Sequence, residues 1–370
     1  MKSTVRYIGL DVHKSTIVIA VAESGRRAAT VHKTIIHDVV KLKKELSELS
    51  RSGATLEICY EAGPTGFGLQ RSLTSLGYSC VVVAPSLVPQ KAGVRIKTDS
   101  RDACKLAQNL RSGDLVPIWV PDESTEALRD LERARDDAKN AERVARQHLS
   151  KFLLRHGKVY TGGTSWTQRH FAWIRQQSFS QVAQTRVLAD YLQAVVNAGS
   201  RVSQLTKDIE ELVLKSTVAP LVQSYQALRG ISLVGATVLA AEVGDLRRFQ
   251  TAGQFMAFVG LVPSEHSSGK TISRGPLTRT GNRHVRRILI EAAWQYQHLP
   301  AVTPAIRKRQ AGLSEEVKMI AWKAQRRLHA RLKHLQQRRL ASNKAITAVA
   351  RELAGFVWAI SQATKVNTAA

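Results

Sequence analysis

Cysteine is scarce in this sequence, and the little there is does not cluster. Cys59, Cys80 and Cys104 stand singly, with no Cys-x-x-Cys spacing, which argues against a zinc ribbon and a disulfide framework. Long uncharged apolar runs and amphipathic anchors are missing too, so nothing supports a membrane association. Met1–Arg6 leads straight into a strand without a signal peptide's apolar core, and a reducing cytoplasm is the expected compartment. The most telling scarcity is of acids. Asp and Glu total 29 against 55 Lys and Arg, a formal net charge of +26 and a pI of about 10.5. A chain this basic attracts polyanions, of which nucleic acid is the commonest. What remains is ordinary: 44% hydrophobic and 23% charged residues across 370 positions, enough for two or three globular domains.

Within that acid-poor background, Tyr7-Ile8-Gly9-Leu10-Asp11-Val12-His13-Lys14 stands out. An apolar strand delivers one carboxylate, Asp11, and a carboxylate in such a place is costly without a cation or metal beside it. Val5–Leu10 and Thr16–Val21 read as a hairpin, followed by a strand over Ala29–Ile36. Asp38–Arg51 carries apolar residues at helical spacing, Leu56–Tyr60 is a further strand ending at Glu61, and Gly63-Pro64 stops it. A helix over Phe67–Leu76 and a strand over Cys80–Ala84 complete an alternation that indicates an α/β sheet domain. Lys97-Thr98-Asp99-Ser100-Arg101-Asp102-Ala103 then opens a helix through Leu110. Asp99 and Asp102 share a face of it, where they repel unless a cation sits between them. They equally suit the first turn as acids complementing the helix dipole.

Pro117–Pro121 reads as a linker, and Asp122–His156 as a long, partly exposed helix with an apolar stripe suited to a coiled coil. Gly157–Thr164 breaks it. Trp166, Phe171 and Trp173 suit the packing of a helix better than base stacking, and Leu188–Leu214 is a second long helix able to pair with the first as an antiparallel arm. Gly230 and Gly235 bracket a short hairpin between helices, compatible with a phosphate-gripping helix-hairpin-helix or with a simple core turn. Beyond Phe255–Leu261 comes Val262-Pro263-Ser264-Glu265-His266-Ser267-Ser268-Gly269-Lys270. Arg274, Arg279, Arg283, Arg286 and Arg287 follow with no acid before Glu291. A Ser-Ser-Gly loop among cations suits a phosphate, and a serine hydroxyl there could attack phosphorus; such loops also commonly just turn the chain. Ala301–Ala345 carries twelve Lys or Arg against Glu315 and Glu316, a surface suited to nucleic-acid backbone. The helix over Ala345–Ile360 is apolar enough to pack on a core.

Taken together, Asp11 in Gly-Leu-Asp-Val-His-Lys, Glu61 in Tyr-Glu-Ala-Gly-Pro-Thr-Gly, and Asp99 and Asp102 in Lys-Thr-Asp-Ser-Arg-Asp-Ala resemble the DEDD tetrad of transposases of bacterial insertion sequence 110 and its 1111 branch. Gly-Leu-Val-Pro-Ser-Glu-His-Ser-Ser-Gly-Lys with Leu-Thr-Arg-Thr-Gly-Asn-Arg-His-Val-Arg-Arg is similar to that family's second domain. The resemblance implies an α/β RNase H-like (RuvC-like) domain over residues 1–116, a helical coiled-coil arm over 117–218 and a mostly α-helical C-terminal transposase domain over 219–370. It implies that Asp11, Glu61, Asp99 and Asp102 bind Mg²⁺ or Mn²⁺, and that a serine forms a covalent DNA–phosphoserine linkage. Ser268, directly before glycine, matches the family nucleophile, with Ser267 in reserve. Lys270 stands where many relatives have a second glycine. Lys270, Arg274, Arg279, Arg283, Arg286 and Arg287 would neutralise phosphate. Donor and target DNA, a noncoding guide RNA and a homo-oligomer, dimer or tetramer, are the implied partners. Two other readings share the same charge: a metal-dependent Holliday-junction-type endonuclease without covalent intermediate, and a non-enzymatic nucleic-acid-binding protein.

Overall fold

The computed structural model describes residues 4–51, 53–89, 98–269 and 271–364. The chain divides into two compact units, Met1–Val120 and Pro121–Ala370, and the break falls inside the Pro117–Pro121 stretch.

β-Branched and apolar residues in the first unit build five strands: β1 (Val5–Val12), β2 (Thr16–Glu23), β3 (Thr30–Ile36), β4 (Thr55–Glu61) and β5 (Ser79–Val83). The sheet order is β3-β2-β1-β4-β5. β2 is antiparallel to β1 and β3, while β1–β4 and β4–β5 are parallel, so β2 alone runs against the others. This mixed α/β sheet is consistent with the RNase H-like expectation. The period of two along each strand sorts side chains to two faces. Ile8, Leu10, Ile58 and Tyr60 form one core with Leu42 and Leu46 of α1 (Val39–Ser50) and Leu69 and Leu73 of α2 (Gly68–Ser75). Val18, Ala20 and Ala22 meet Ala103 and Ala107 of α3 (Asp99–Ser112) on the other face, where Cys59 packs with Leu106.

Small residues on that second face let α3 lie close to the sheet, and Gly9 is the tightest point. A Cβ added there would stand 2.2 Å from the Ala103 carbonyl oxygen and 2.5 Å from the Ala107 nitrogen, so only glycine fits. Thr98 caps α3 by accepting from the Arg101 backbone N–H, which fixes where its first turn, with Asp99 and Asp102, begins.

The second unit is mostly helical. α4 (Glu123–Arg155) and α6 (Val182–Val213) pack along each other, with α5 (Gln168–Arg175) between them in sequence. Arg135 of α4 donates to Thr206 of α6 at 2.7 Å, while Leu149 and Phe152 pack with Leu188 and Val195, so the two run antiparallel. α6 starts at Val182, earlier than the expected Leu188. Trp166, Phe171 and Trp173 are partly buried against this pair, the packing role the sequence favoured. The larger core gathers α7 (Ala219–Tyr225), α8 (Leu233–Val243), α9 (Ala252–Phe258), α10 (Arg283–Ala293), α12 (Glu315–Gln337) and α13 (Ser342–Ala363). α11 (Pro304–Gln310) adds the buried Ile306. A short hairpin, β6 (Pro263–Glu265) and β7 (Arg274–Leu277), leaves this core after α9. The Gly230 turn packs inward: a Cβ there would meet the Ala292 carbonyl oxygen at 2.5 Å, and Arg229 donates to the carbonyls of His298, Leu299 and Ala301. That geometry is a core turn.

Candidate active site

Asp11 and Asp99 of the first unit come together because of strand position and the α3 approach. Leu10 pairs with Tyr60 on adjacent parallel strands, so Asp11 and Glu61 are each the next residue along. Both therefore fall on the face opposite Leu10 and Tyr60, the face that α3 covers. Glu61 pairs in turn with Val83 at the end of β5. From α3, Asp99 comes down to the same edge, and ligand-type atoms of Asp11, His13 and Asp99 all lie within 4.8 Å of one another. His13 Nε2 is 3.3 Å from Asp11 Oδ2 and 3.5 Å from Asp99 Oδ1, between the two carboxylates. Glu61 and Asp102 lie outside that tight trio, although Asp102 acts on Asp11 through its charge.

The electrostatics favour a cation. Burial pushes the Asp11 carboxyl above its ordinary value, the charges of Asp99 and Asp102 push it further, and His13 opposes them. Hard carboxylate oxygens crowded at a strand end are the donor set that Mg²⁺ takes. His13, which the sequence motif contained but which drew no site assignment, departs from an all-oxygen set; only its contact with both aspartates reveals its place.

In the second unit, Ser267 and Ser268 sit at the exposed end of the β6–β7 hairpin. Ser267 Oγ donates to Glu265 Oε1 at 2.8 Å and accepts from the Ser273 backbone N–H at 3.3 Å. Ser268 is bridged to Thr271 through its backbone alone, N–H to carbonyl at 3.1 Å and 3.0 Å. Its hydroxyl makes no hydrogen bond among the described residues. Gly269 follows with φ +56°, a left-handed conformation that glycine accommodates. At the base of the hairpin, Gly260 and Gly281 have φ +67° and +73°, and added Cβ atoms would strike the Thr280 and Phe258 carbonyl oxygens at 2.2 Å and 1.8 Å. These interlocked turns fix the hairpin against α9, a role that spacing alone did not reveal.

The cations named from sequence divide by occupation. Lys270 lies outside the described residues. Arg274 reaches Glu265 at 3.5 Å, Arg283 is exposed, and Arg279 lines a cleft beside the hairpin. Arg286 donates to the carbonyls of Val259 and Thr280, strapping the hairpin base, and Arg287 pairs with Asp136 at 2.7 Å.

A second trio, Glu132, Glu242 and His284, also brings ligand-type atoms within 4.8 Å, but its two carboxylates are buried and His284 is half-buried. Burial alone would raise the Glu242 carboxyl. Arg133, donating to both its oxygens at 2.7 Å and 3.1 Å, holds it below its ordinary value instead, helped by Asn282 at 2.6 Å. Asn282 simultaneously caps α10 by accepting from the His284 and Val285 backbone N–H groups. This trio is a joint between α4, α8 and α10.

Comparison with known proteins agrees with both halves. The family described as "Transposase IS116/IS110/IS902 family" matches residues 223–309, and a DEDD transposase profile of IS110 matches residues 8–157. The Sinorhizobium fredii protein y4qE, whose name assigns it to the transposases, is 42% identical over 98% of this chain and 90% of its own length. The transposase for insertion sequence element IS1533 of Leptospira borgpetersenii is 32% identical, over 90% of this chain and 97% of its own. The transposase for IS1111A of Coxiella burnetii is 37% identical over a shorter stretch, 19% of this chain and 20% of its own.

Proposed function

The chain belongs to the transposases of the IS110 family, and on that premise we propose that it is an RNA-guided DNA recombinase with a two-part active centre. One part is a divalent-metal site on the first unit and the other is Ser268 on the second. The observation that carries the reading is the convergence of Asp11 and Asp99, from a strand end and a helix start, under the Gly9 contact. In this reading the first unit is a RuvC-like RNase H fold, supported by the order β3-β2-β1-β4-β5 with β2 alone reversed. The antiparallel α4–α6 pair is the coiled-coil arm, and through it the protein assembles as a dimer or tetramer.

Asp11, Glu61, Asp99 and Asp102 would hold Mg²⁺ or Mn²⁺, which when bound stabilises the attacking and leaving oxygens of a phosphodiester. Ser268 Oγ, exposed and open, attacks phosphorus; the P–O3′ bond breaks as the P–Oγ bond forms, leaving a DNA–phosphoserine linkage and a free 3′ end. An incoming 3′ oxygen reverses the attack, joins the new strand and frees the serine. Ser267, whose hydroxyl donates to Glu265, is the reserve nucleophile. Lys270, Arg274, Arg279 and Arg283 neutralise phosphate, while Arg286 positions the hairpin base and Arg287 pairs with Asp136. Donor and target DNA are selected by a noncoding RNA, and the basic helices of the second unit offer backbone contacts to either nucleic acid.

Excision and insertion assays test this. Asp11→Ala and Ser268→Ala should each abolish recombination while DNA and RNA binding persist. Cleavage that survives a Ser267→Ala/Ser268→Ala double change would support the hydrolytic junction endonuclease instead, and full function with all four carboxylates neutralised would support a binding protein without catalysis.

A further inference from the structure

Helix α12 carries an exposed aromatic beside Lys323, Arg326 and Arg327 on its outer face. Its buried face is complete without it, formed by Val317, Ala321, Ala324, Leu328, Leu332 and Leu335. Trp322 is 38% exposed and Met319, one turn earlier, is 64% exposed. With Pro300 and Ala330 they floor a surface cavity of about 560 Å³, whose rim is Lys323, Arg326 and Arg327 and whose lining holds no acid. Arg327 also borders a larger cleft of about 890 Å³, between the β6–β7 hairpin and helices α12 and α13. Arg279, Arg331, Lys344 and Arg351 line that cleft. Its one acid, Glu352, accepts from Arg327 at 2.9 Å and Arg331 at 3.2 Å, orienting both guanidinium groups there.

We propose that the α12 cavity is a subsite for an unpaired base of a DNA strand, whose phosphates continue past Arg327 into the cleft beside the serine hairpin. The proposal rests on DNA being the substrate and adds which form of it this face takes. An apolar, aromatic floor with a cationic rim matches a nucleotide's two halves, the π-face of the base and the charge of its phosphate. In a duplex the base faces are hidden in the stack, so the indole is usable only by a base that has left it. A second copy of this chain is a poor occupant, because symmetric docking would set Lys323, Arg326 and Arg327 against themselves on a protein of net charge +26. The same absence of acid gives a basic protein partner nothing to pair with.

The test measures binding of the full-length protein to a 20-nucleotide DNA strand and to the matching duplex by fluorescence anisotropy at fixed salt. Trp322→Leu, which keeps an apolar filler but removes the ring, should weaken single-strand binding by about tenfold and leave the duplex within about twofold, whereas Trp322→Phe should keep both. Arg326→Gln should weaken both substrates and flatten the dependence of log K on log salt by about one. A single abasic position scanned along the strand should cost the wild type affinity at one register and cost Trp322→Leu nothing, a result that does not depend on comparing the stabilities of variants. Equal loss on strand and duplex, unchanged strand binding by Trp322→Leu, or tighter Trp322-dependent binding of an RNA strand of the same sequence would each overturn the proposal. Because the readout is binding, it fails separately from the serine chemistry: Trp322-dependent binding without strand transfer would sink only the proposed reaction.

Discussion

Two places in this chain assemble the same kinds of side chain, two carboxylates and a histidine with ligand-type atoms within 4.8 Å, and they are built to opposite ends. At Glu132, Glu242 and His284 the charge of Glu242 is already answered, and Glu132 beside it is held toward its neutral form. Arg133 grips both oxygens of Glu242, Asn282 adds a third donor, and Arg129 stands 3.8 Å away. At Asp11, His13 and Asp99 the oxygens face one another with Asp102 nearby, and burial combined with their mutual repulsion raises Asp11. The difference teaches that an acidic cluster is read from its counter-charges. The first is a structural joint; the second is a place where a cation lowers the energy of what surrounds it.

Substitutions should separate the two. Asp11→Asn is expected to remove recombination entirely yet leave thermal stability at least as high as wild type in metal-free buffer, since it relieves a strained charge. Mg²⁺ at about a hundred times its Kd should stabilise the wild type by about 2.7 kcal/mol and the variant hardly at all, as read by thermal unfolding. Glu242→Ala should act the other way, destabilising the second unit by about 3–5 kcal/mol in denaturant titration, because the buried Arg129 is left without its carboxylate partner.

The joint also shows itself by pH. Burial, then the charges of Glu242 and Asp136, push the Glu132 carboxyl up to about 7 from an ordinary 4.5, against the pull of Arg287 and Arg133. The folded chain thus keeps a proton there that the unfolded chain releases, and stability falls as pH rises from about 4.5 to about 7. The total is about 3 kcal/mol. Glu132→Gln should flatten that part of the stability–pH curve, and an unchanged slope would remove Glu132 as its cause.

The elements around Asp11 were legible because strands and helices there alternate with clear periods and Gly-Pro stops. The tetrad was legible as a motif, yet Gly9, which lets α3 approach, sat in that motif unnoticed: close approach depends on atoms far along the chain. His13 escaped for the same reason. Arg286 and Arg287 looked like phosphate contacts because charge shows in sequence and partners do not; only the fold brings Arg286 to the Val259 and Thr280 carbonyls and Arg287 to Asp136. The glycines at 230 and 235 remained ambiguous until Ala292 and Ile288 proved to be their neighbours. Ser267 and Ser268, adjacent and alike in sequence, differ in hydrogen bonding: the Ser267 hydroxyl donates to Glu265, and the Ser268 hydroxyl has no partner among the described residues.

That last difference leads to the most direct measurement. The protein, incubated with Mg²⁺ and with the RNA and labelled DNA ends of its element, is resolved on a denaturing gel before and after protease digestion. The account predicts a protease-sensitive DNA–protein adduct that disappears in Ser268→Ala, disappears in Asp11→Asn and persists in Ser267→Ala. An adduct that survives Ser268→Ala, or cut DNA with no adduct in the wild type, would contradict it.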